Sequence, residues 1–471
     1  MNKKVYLIQP TYRDKFGKLL KGKSLYTISL ALPSLSATIP PDWEKQLCYE
    51  FFEDVDFDTD ASIIGISSMG YEIYRGIELA KEFRRRGKTV IFGGFQAHMS
   101  TDFVAPHCDA VVHGNPGIPA MKRILEDAYE GKLQRDYHCG VDLDYQVDYR
   151  ALDTRRVLFT PVFTSVGCNY LCDYCCIASI YKGNCRVRKL RHVFAELEYL
   201  HGRTRRIAFM DTNIHSRHTY LKALCEGMIE RGFRFVWGAQ ATIDIGDDEH
   251  TLRLLRRAGC KALFIGLESF SQANLEAVNK GLSAETYGRR IRNIHRAGIK
   301  IAAFLMYGFD HDTQDTAAEL SRLVTENRIA LPMINLLVPL PGTVLFERLR
   351  AENRLLIRDE GDFLRNNIGY NSSFNLCLFR PKHMTPDEAE EGFIELLGRL
   401  SGYGQIIRRS FSRDLKLSVF FLHSNWLFRR EYIRLRKLRS KRLAVAVDAG
   451  GEQRIPCADK STAFGRHEGR P

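Results

Sequence analysis

The sequence holds no run of about 18 or more apolar residues, the length a membrane-spanning helix needs. Its longest candidate, residues 25–40, is broken by Pro33, Pro40 and several serines. The first ten residues lack the apolar core of a secretory signal and enter a strand-like run directly, so a cytoplasmic protein is expected. Cysteine is too scarce for a disulfide scaffold, with 12 scattered over 471 residues. In a reducing compartment cysteines more often serve metals or catalysis. At 45% hydrophobic and 27% charged, the composition excludes a mainly disordered or collagen-like chain. Lys and Arg outnumber Asp and Glu by 69 to 56, for a net charge of +13. That excess is uneven: residues 401–471 carry +10 and the first 400 only +3.

Residues 1–140 alternate short apolar runs with helical spacing. Strands are expected at 5–9, 63–67, 89–92 and 110–112, with a helix at 74–86. Such alternation argues for an α/β doubly wound parallel sheet, in which ligands sit at the carboxyl ends of strands. Those ends carry Ser67-Ser68-Met69-Gly70, Gly93-Gly94-Phe95-Gln96-Ala97-His98 and His113-Gly114-Asn115-Pro116-Gly117. Glycine there lets a flat or phosphate-bearing ligand approach the backbone. Residues 141–156 are polar, lack clear periodicity and are expected to form a linker. Residues 157–345 repeat a strand–helix unit six times, with strands expected at 157–163, 206–210, 235–240, 262–267, 300–307 and 335–339. Six units predict a partial (β/α)6 barrel of TIM type. Residues 346–442 are expected to be mostly helical. They hold a Gly/Asn-rich loop and a capping box with proline, Thr385-Pro386-Asp387-Glu388. Residues 443–471 are expected to form a poorly ordered tail.

The strongest chemical signal is Gly167-Cys168-Asn169-Tyr170-Leu171-Cys172-Asp173-Tyr174-Cys175, a C-x-x-x-C-x-x-C spacing after the first barrel strand. Three thiolates in one short loop suit three irons of a [4Fe–4S] cluster and leave the fourth iron open to a small ligand. Zinc is the competing metal, but a structural zinc site needs a fourth protein ligand. Cys176 is badly placed for that role, and Cys185 is the other candidate. A chance clustering of buried cysteines is the bland alternative. Cys225, Cys260 and the other cysteines read as small buried hydrophobes.

The motif resembles the signature of radical S-adenosylmethionine (SAM) enzymes. The resemblance continues through Phe209-Met210-Asp211-Thr212-Asn213, Phe264-Ile265-Gly266-Leu267-Glu268-Ser269 and Pro339-Leu340-Pro341-Gly342-Thr343. It implies that the open iron is chelated by the amino and carboxylate groups of SAM. One-electron reduction then yields a 5′-deoxyadenosyl radical. It also implies that Tyr174 packs near the adenine, and that Glu268, Gly266, Asn213 and residues near Asp211 help hold the amino group or ribose. The first 140 residues resemble the Rossmann-like cobalamin-binding domain of the cobalamin-dependent branch. Ser67, Ser68, Gly93, Gly94, Gln96 and Gly114 are then the candidate cofactor contacts. Two departures stand out. No D-x-H-x-x-G motif nominates a histidine beneath cobalt, and Asn115-Pro116-Gly117 replaces the family's usual acidic residue. His98 and His113 read as hydrogen-bonding loop residues.

The reaction implied is methylation of an unactivated carbon in a lipid or secondary-metabolite intermediate, through methylcobalamin and the deoxyadenosyl radical. A one-electron donor such as flavodoxin or ferredoxin is implied too. Three alternatives are a cyclase or oxidative rearrangement enzyme without methyl transfer, a methylthiotransferase, and a non-enzymatic cobalamin- or iron-sensing protein. The methylthiotransferase would hold a second cluster on Cys48, Cys108 and Cys139. Against it, strand ends carry Gln9-Pro10 and Ser67-Ser68 rather than cysteine. Residues 420–439 read as a basic amphipathic helix with Phe428, Tyr432, Leu435 and Leu438 near one face. That pattern is similar to the hopanoid C-methylases and suits peripheral contact with the inner face of a membrane. A helix packed on the barrel with a solvated basic face is the other reading. No aromatic-interleaved motif accompanies the basic residues, so no nucleic acid partner is expected.

Overall fold

Apolar runs of five or six residues become the centres of two separate parallel sheets. In a computed structural model of the chain, residues 2–14, 17–70, 72–357, 377–412 and 414–448 are described. Residues 358–376 of the expected Gly/Asn-rich loop and residues 449–471 of the expected tail lie outside them. The first sheet contains β1 (Lys4–Gln9), β2 (Glu44–Tyr49), β3 (Ile63–Ser67), β4 (Thr89–Gly93), β5 (Ala110–Asn115) and β6 (Asp136–Val141). Its order is β2-β1-β3-β4-β5-β6, all parallel. The four expected strands are its centre. Sequence reasoning missed β2 and β6, the two edges, because their Glu-Lys-Gln-Leu-Cys-Tyr and Asp-Tyr-His-Cys-Gly-Val runs carry no two-sided apolar pattern. Chain order reverses between β1 and β3, so the ligand crevice of such a sheet lies at their carboxyl ends.

The second sheet contains β7 (Thr160–Val162), β10 (Arg206–Phe209), β11 (Val236–Ala241), β12 (Cys260–Glu268), β13 (Lys300–Tyr307) and β14 (Leu331–Leu336). They run parallel in the order β14-β13-β12-β11-β10-β7, an open, partial barrel. Between β7 and β10 an antiparallel pair, β8 (Ser165–Gly167) and β9 (Cys185–Val187), brackets the cysteine loop. The last strand starts four residues before its expected position. It contains Pro332, and β14 is an edge strand, where a missing N–H can be tolerated.

The expected polar linker, residues 141–156, packs as a strap. Leu143, Tyr145, Val147 and Tyr149 alternate into the core. The Val147 amide donates to Glu196 Oε1 at 2.6 Å, and Arg188 donates to the Tyr145 carbonyl at 2.8 Å. Arg188 and Glu196 pair with both side chains 0% exposed. Removing one partner of such a pair strands a buried charge. Glu196→Ala is therefore expected to destabilise the chain by about 3–5 kcal/mol, read as a lower denaturation midpoint.

Beyond the barrel, the helix Pro386–Leu400 begins at Thr385 with the expected capping box. The helices Tyr403–Ser410 and Leu415–Asp448 follow. The last of these passes through residue 443, where the tail was expected to begin. Of the two readings of its apolar positions, Phe428, Tyr432 and Leu435 follow the packed one and lie against the core. Phe421 fits among Ala262, Ala302, Ala330 and Leu331 at the amino ends of the barrel strands.

Candidate active site

Gly167 ends β8 at φ 84°, and a Cβ there would run into the Asn184 carbonyl, so the turn into the cysteine loop requires glycine. The loop is tied to its surroundings at four points. Asn169 donates to the Ser216 carbonyl at 2.6 Å, and the Tyr170 hydroxyl donates to Asp244 Oδ2 at 3.1 Å. The Asp173 amide donates to the Val278 carbonyl, and its own carbonyl accepts from the Leu345 amide. Cys175 N-caps the helix Cys176–Tyr181. Its thiol is held well below the usual cysteine range by the Cys176 thiol, outweighing burial, with help from the Ala178 and Ile177 amides. Burial pushes the Cys172 thiol up to about 11, opposed by the Lys280 ammonium.

Lys280 is the site residue that sequence reasoning missed. Its ammonium donates to Glu268 Oε1 at 2.8 Å and to the Tyr174 hydroxyl at 3.3 Å. Burial opposes the charge, yet Glu268 and the Cys172 thiol outweigh it and hold the lysine above its ordinary value. The Glu268 backbone sits at φ 62°, where the β12–β13 register slips between Gly266 and Glu268. A Cβ on Gly266 would strike Glu268 Oε1 and come within 3.2 Å of Lys280 Nζ. Gly266 therefore makes room for the ion pair. The available signal was the turn Asn279-Lys280-Gly281, whose flanking residues both adopt positive φ.

Asp211 and Asn213 follow β10. The Asp211 carboxylate is 0% exposed and accepts from the Thr164 hydroxyl at 2.7 Å and the Ser165 hydroxyl at 2.6 Å. It braces the chain entering the cysteine loop. Asn213 reaches further, with Nδ2 3.8 Å from Cys168 Sγ.

A cavity of about 460 Å³ lies between the carboxyl ends of both sheets. Ser67, Gly93, Gly94 and Gly114 line one wall, and Gly167, Ile177 and Met210 line the other. Gly167 and Ile177 flank the cysteine loop, so the cavity opens beside it. Gly94 (φ 96°) could not carry a Cβ, which would lie 2.5 Å from the Ser68 carbonyl. Two expected contacts are not on the wall. Gln96 turns to its own helix and donates to Ser100 Oγ at 2.7 Å. Ser68 is 2% exposed, and its hydroxyl has no hydrogen-bond partner among the described residues. Val112 and Gly114 line the cavity, so the intervening His113 points to the other face, where it meets His98 and Asp136. The second-cluster cysteines are not gathered: Cys48 on β2 and Cys139 on β6 sit on opposite edges of the sheet, about 24 Å apart at five strand spacings.

Residues 162–324 match the family model of the radical SAM superfamily. It is 29% identical over 353 residues to the bacteriochlorophyllide d C-8(2)-methyltransferase of Chlorobaculum tepidum, covering 70% of this chain and 78% of that protein. It is 23% identical over 380 residues to the hopanoid C-2 methylase of Rhodopseudomonas palustris, covering 76% and 72%. Its fold matches that of the radical SAM methyltransferase TsrM from Kitasatospora setae, solved with cobalamin and a [4Fe-4S] cluster bound. The TM-score is 0.65 at 15% identity, over 94% of this chain and 100% of that one.

Proposed function

We propose that the chain is a cobalamin-dependent radical SAM C-methyltransferase acting on an unactivated carbon of a lipid or secondary-metabolite intermediate. The observation that carries this reading is the cavity shared by the strand ends of the first sheet and the flanks of the cysteine loop. Cys168, Cys172 and Cys175 hold the cluster, and their C-x-x-x-C-x-x-C order and the lowered Cys175 thiol fit that task. Glu268, backed by Lys280, and Asn213 hold SAM beside it, with Tyr174 against the adenine. Ser67 and the side-chain-free Gly93, Gly94 and Gly114 on the cavity wall receive cobalamin. Bound there, these groups supply a carbon-centred radical and a methyl donor. The protein aligns them, excludes water and confines the substrate between its two sheets. Its electron donor is a one-electron carrier of flavodoxin or ferredoxin type, and it works in the cytoplasm at the inner membrane face.

Anaerobically reconstituted protein is expected to bind about four irons and one cobalamin per chain. With SAM, reductant and the true substrate it should release S-adenosylhomocysteine beside 5′-deoxyadenosine. Release of 5′-deoxyadenosine alone, with no mass gain in the product, would favour the cyclase or rearrangement reading. Gly94→Ala places a side chain at a strained positive φ, which costs about 1–3 kcal/mol, and against the Ser68 backbone. It is expected to lower the cobalt-to-iron ratio of purified protein while iron per chain stays unchanged.

A further inference from the structure

The C-terminal helix Leu415–Asp448 carries two apolar faces. Phe421, Phe428, Tyr432 and Leu435 turn inward, with Phe421 0% and Leu435 4% exposed. Roughly a third of a turn around the helix, at 100° per residue, runs a second stripe. It consists of Leu415, Val419, Leu422, Trp426 and Ile433, which are 77, 58, 45, 45 and 38% exposed. The helix Tyr403–Ser410 lies directly beside this stripe. Arg409 donates to Asn425 Oδ1 at 2.7 Å, and the Arg429 guanidinium sits 4.1 Å from the Tyr403 ring centre. Positions 425 and 429 are the helical neighbours of 422, 426 and 433. The shorter helix and the residue just past its end add Tyr403, Ile407 and Phe411, each more than 60% exposed. Eight large apolar side chains thus stand open in one region, more than scattered surface hydrophobes explain.

The border of this region is basic. Arg408, Lys416, Arg430, Arg436 and Lys437 are exposed, and the Arg430 guanidinium lies 5.0 Å from the Trp426 ring centre. The acidic residues of segment 401–439 are Asp414 and Glu431. Both are already paired, with Lys261 and Arg434.

We propose that this face docks on an anionic lipid bilayer surface. Exposed Trp and Tyr among aliphatic side chains, with Arg and Lys around them, match the depth profile of a membrane interface. A second copy of the chain fits poorly, because the two basic borders would meet. No helix among the described residues is long and apolar enough to cross the bilayer, so the contact is peripheral. The inward face of the helix caps the amino ends of the barrel strands. The bilayer is therefore met at the end of the barrel remote from the cavity, whose mouth stays open.

The test uses full-length protein and vesicles of phosphatidylcholine with or without phosphatidylglycerol. Sedimentation with the anionic vesicles alone is expected, weakening as salt is raised. Trp43 and Trp237 are 4% and 1% exposed, so a vesicle-induced blue shift in tryptophan emission reports Trp426. Trp426→Phe should abolish the shift and still sediment. The pair Leu422→Ser and Trp426→Ser, and separately Arg430→Glu with Lys437→Glu, should each weaken binding about tenfold with an unchanged Tm. Recovery in the pellet that is independent of vesicles overturns the proposal. So does a blue shift that follows protein concentration alone, which would assign the face to self-association.

Discussion

Cys172→Ala is expected to reduce the iron content of reconstituted protein from about four per chain to below one and to abolish release of 5′-deoxyadenosine. Cys168→Ala and Cys175→Ala should do the same. The informative control is Cys176→Ala. Cys176 adjoins Cys175, and its thiol stabilises the Cys175 thiolate. It is the first residue of the helix that Cys175 caps, so it is not the helix's cap. A cluster held by the C-x-x-x-C-x-x-C cysteines keeps its iron in this variant. A chain that loses iron equally with Cys176 replaced uses a different ligand set. Iron and sulfide analysis with absorption near 400 nm separates the outcomes without any substrate. The effect is large because three ligands act as one unit: with one gone, an iron of the cluster faces solvent, and the assembly is lost rather than weakened.

That loop was legible in the sequence because ligand spacing is a local property. Cys168, Cys172 and Cys175 lie within eight residues, and their chemistry requires only that the loop be short. The central strands were legible for a related reason. Burial on both faces demands continuous apolar runs such as Ile63–Ser67 and Lys300–Tyr307. What escaped depends on partners far away in the chain. β2 and β6 are edges whose polar residues are tolerated only because one side has no neighbour. The strap at 141–156 alternates buried and accessible residues, but Asp142, Asp144, Gln146 and Asp148 on the other phase hid the pattern. The C-terminal helix shows the limit most clearly. Residues 421, 428, 432 and 435 and residues 415, 419, 422, 426 and 433 both have helical spacing. Periodicity finds both stripes and cannot say which one the barrel takes. Phe421 decides it, since only the alanines at 262, 302 and 330 leave a socket for its ring.

Lys280→Met is expected to be the most damaging single change outside the cysteines. The lysine is 5% exposed and Glu268 8% exposed, and the two meet at 2.8 Å. Deleting the ammonium leaves a buried carboxylate unpaired, which destabilises by about 3–5 kcal/mol. It also frees Glu268 from the register slip that aims it and removes the cation beside Cys172. Stability alone cannot show that the pair positions SAM, so the double variant Lys280→Met with Glu268→Gln is the decisive comparison. Replacing both charges should recover much of the lost stability, because no isolated ion remains. SAM affinity should stay at least about tenfold weaker than in the parent protein, the loss of one charge-assisted hydrogen bond. Calorimetric or dialysis measurement of SAM binding to the iron-loaded protein, beside Tm, separates the two effects. Recovery of both quantities together would make Lys280 and Glu268 a structural ion pair. Recovery of Tm without affinity makes the Glu268 carboxylate, paired with Lys280 at 2.8 Å where the fourth barrel strand meets the cluster loop, a contact of SAM rather than only half of a structural ion pair.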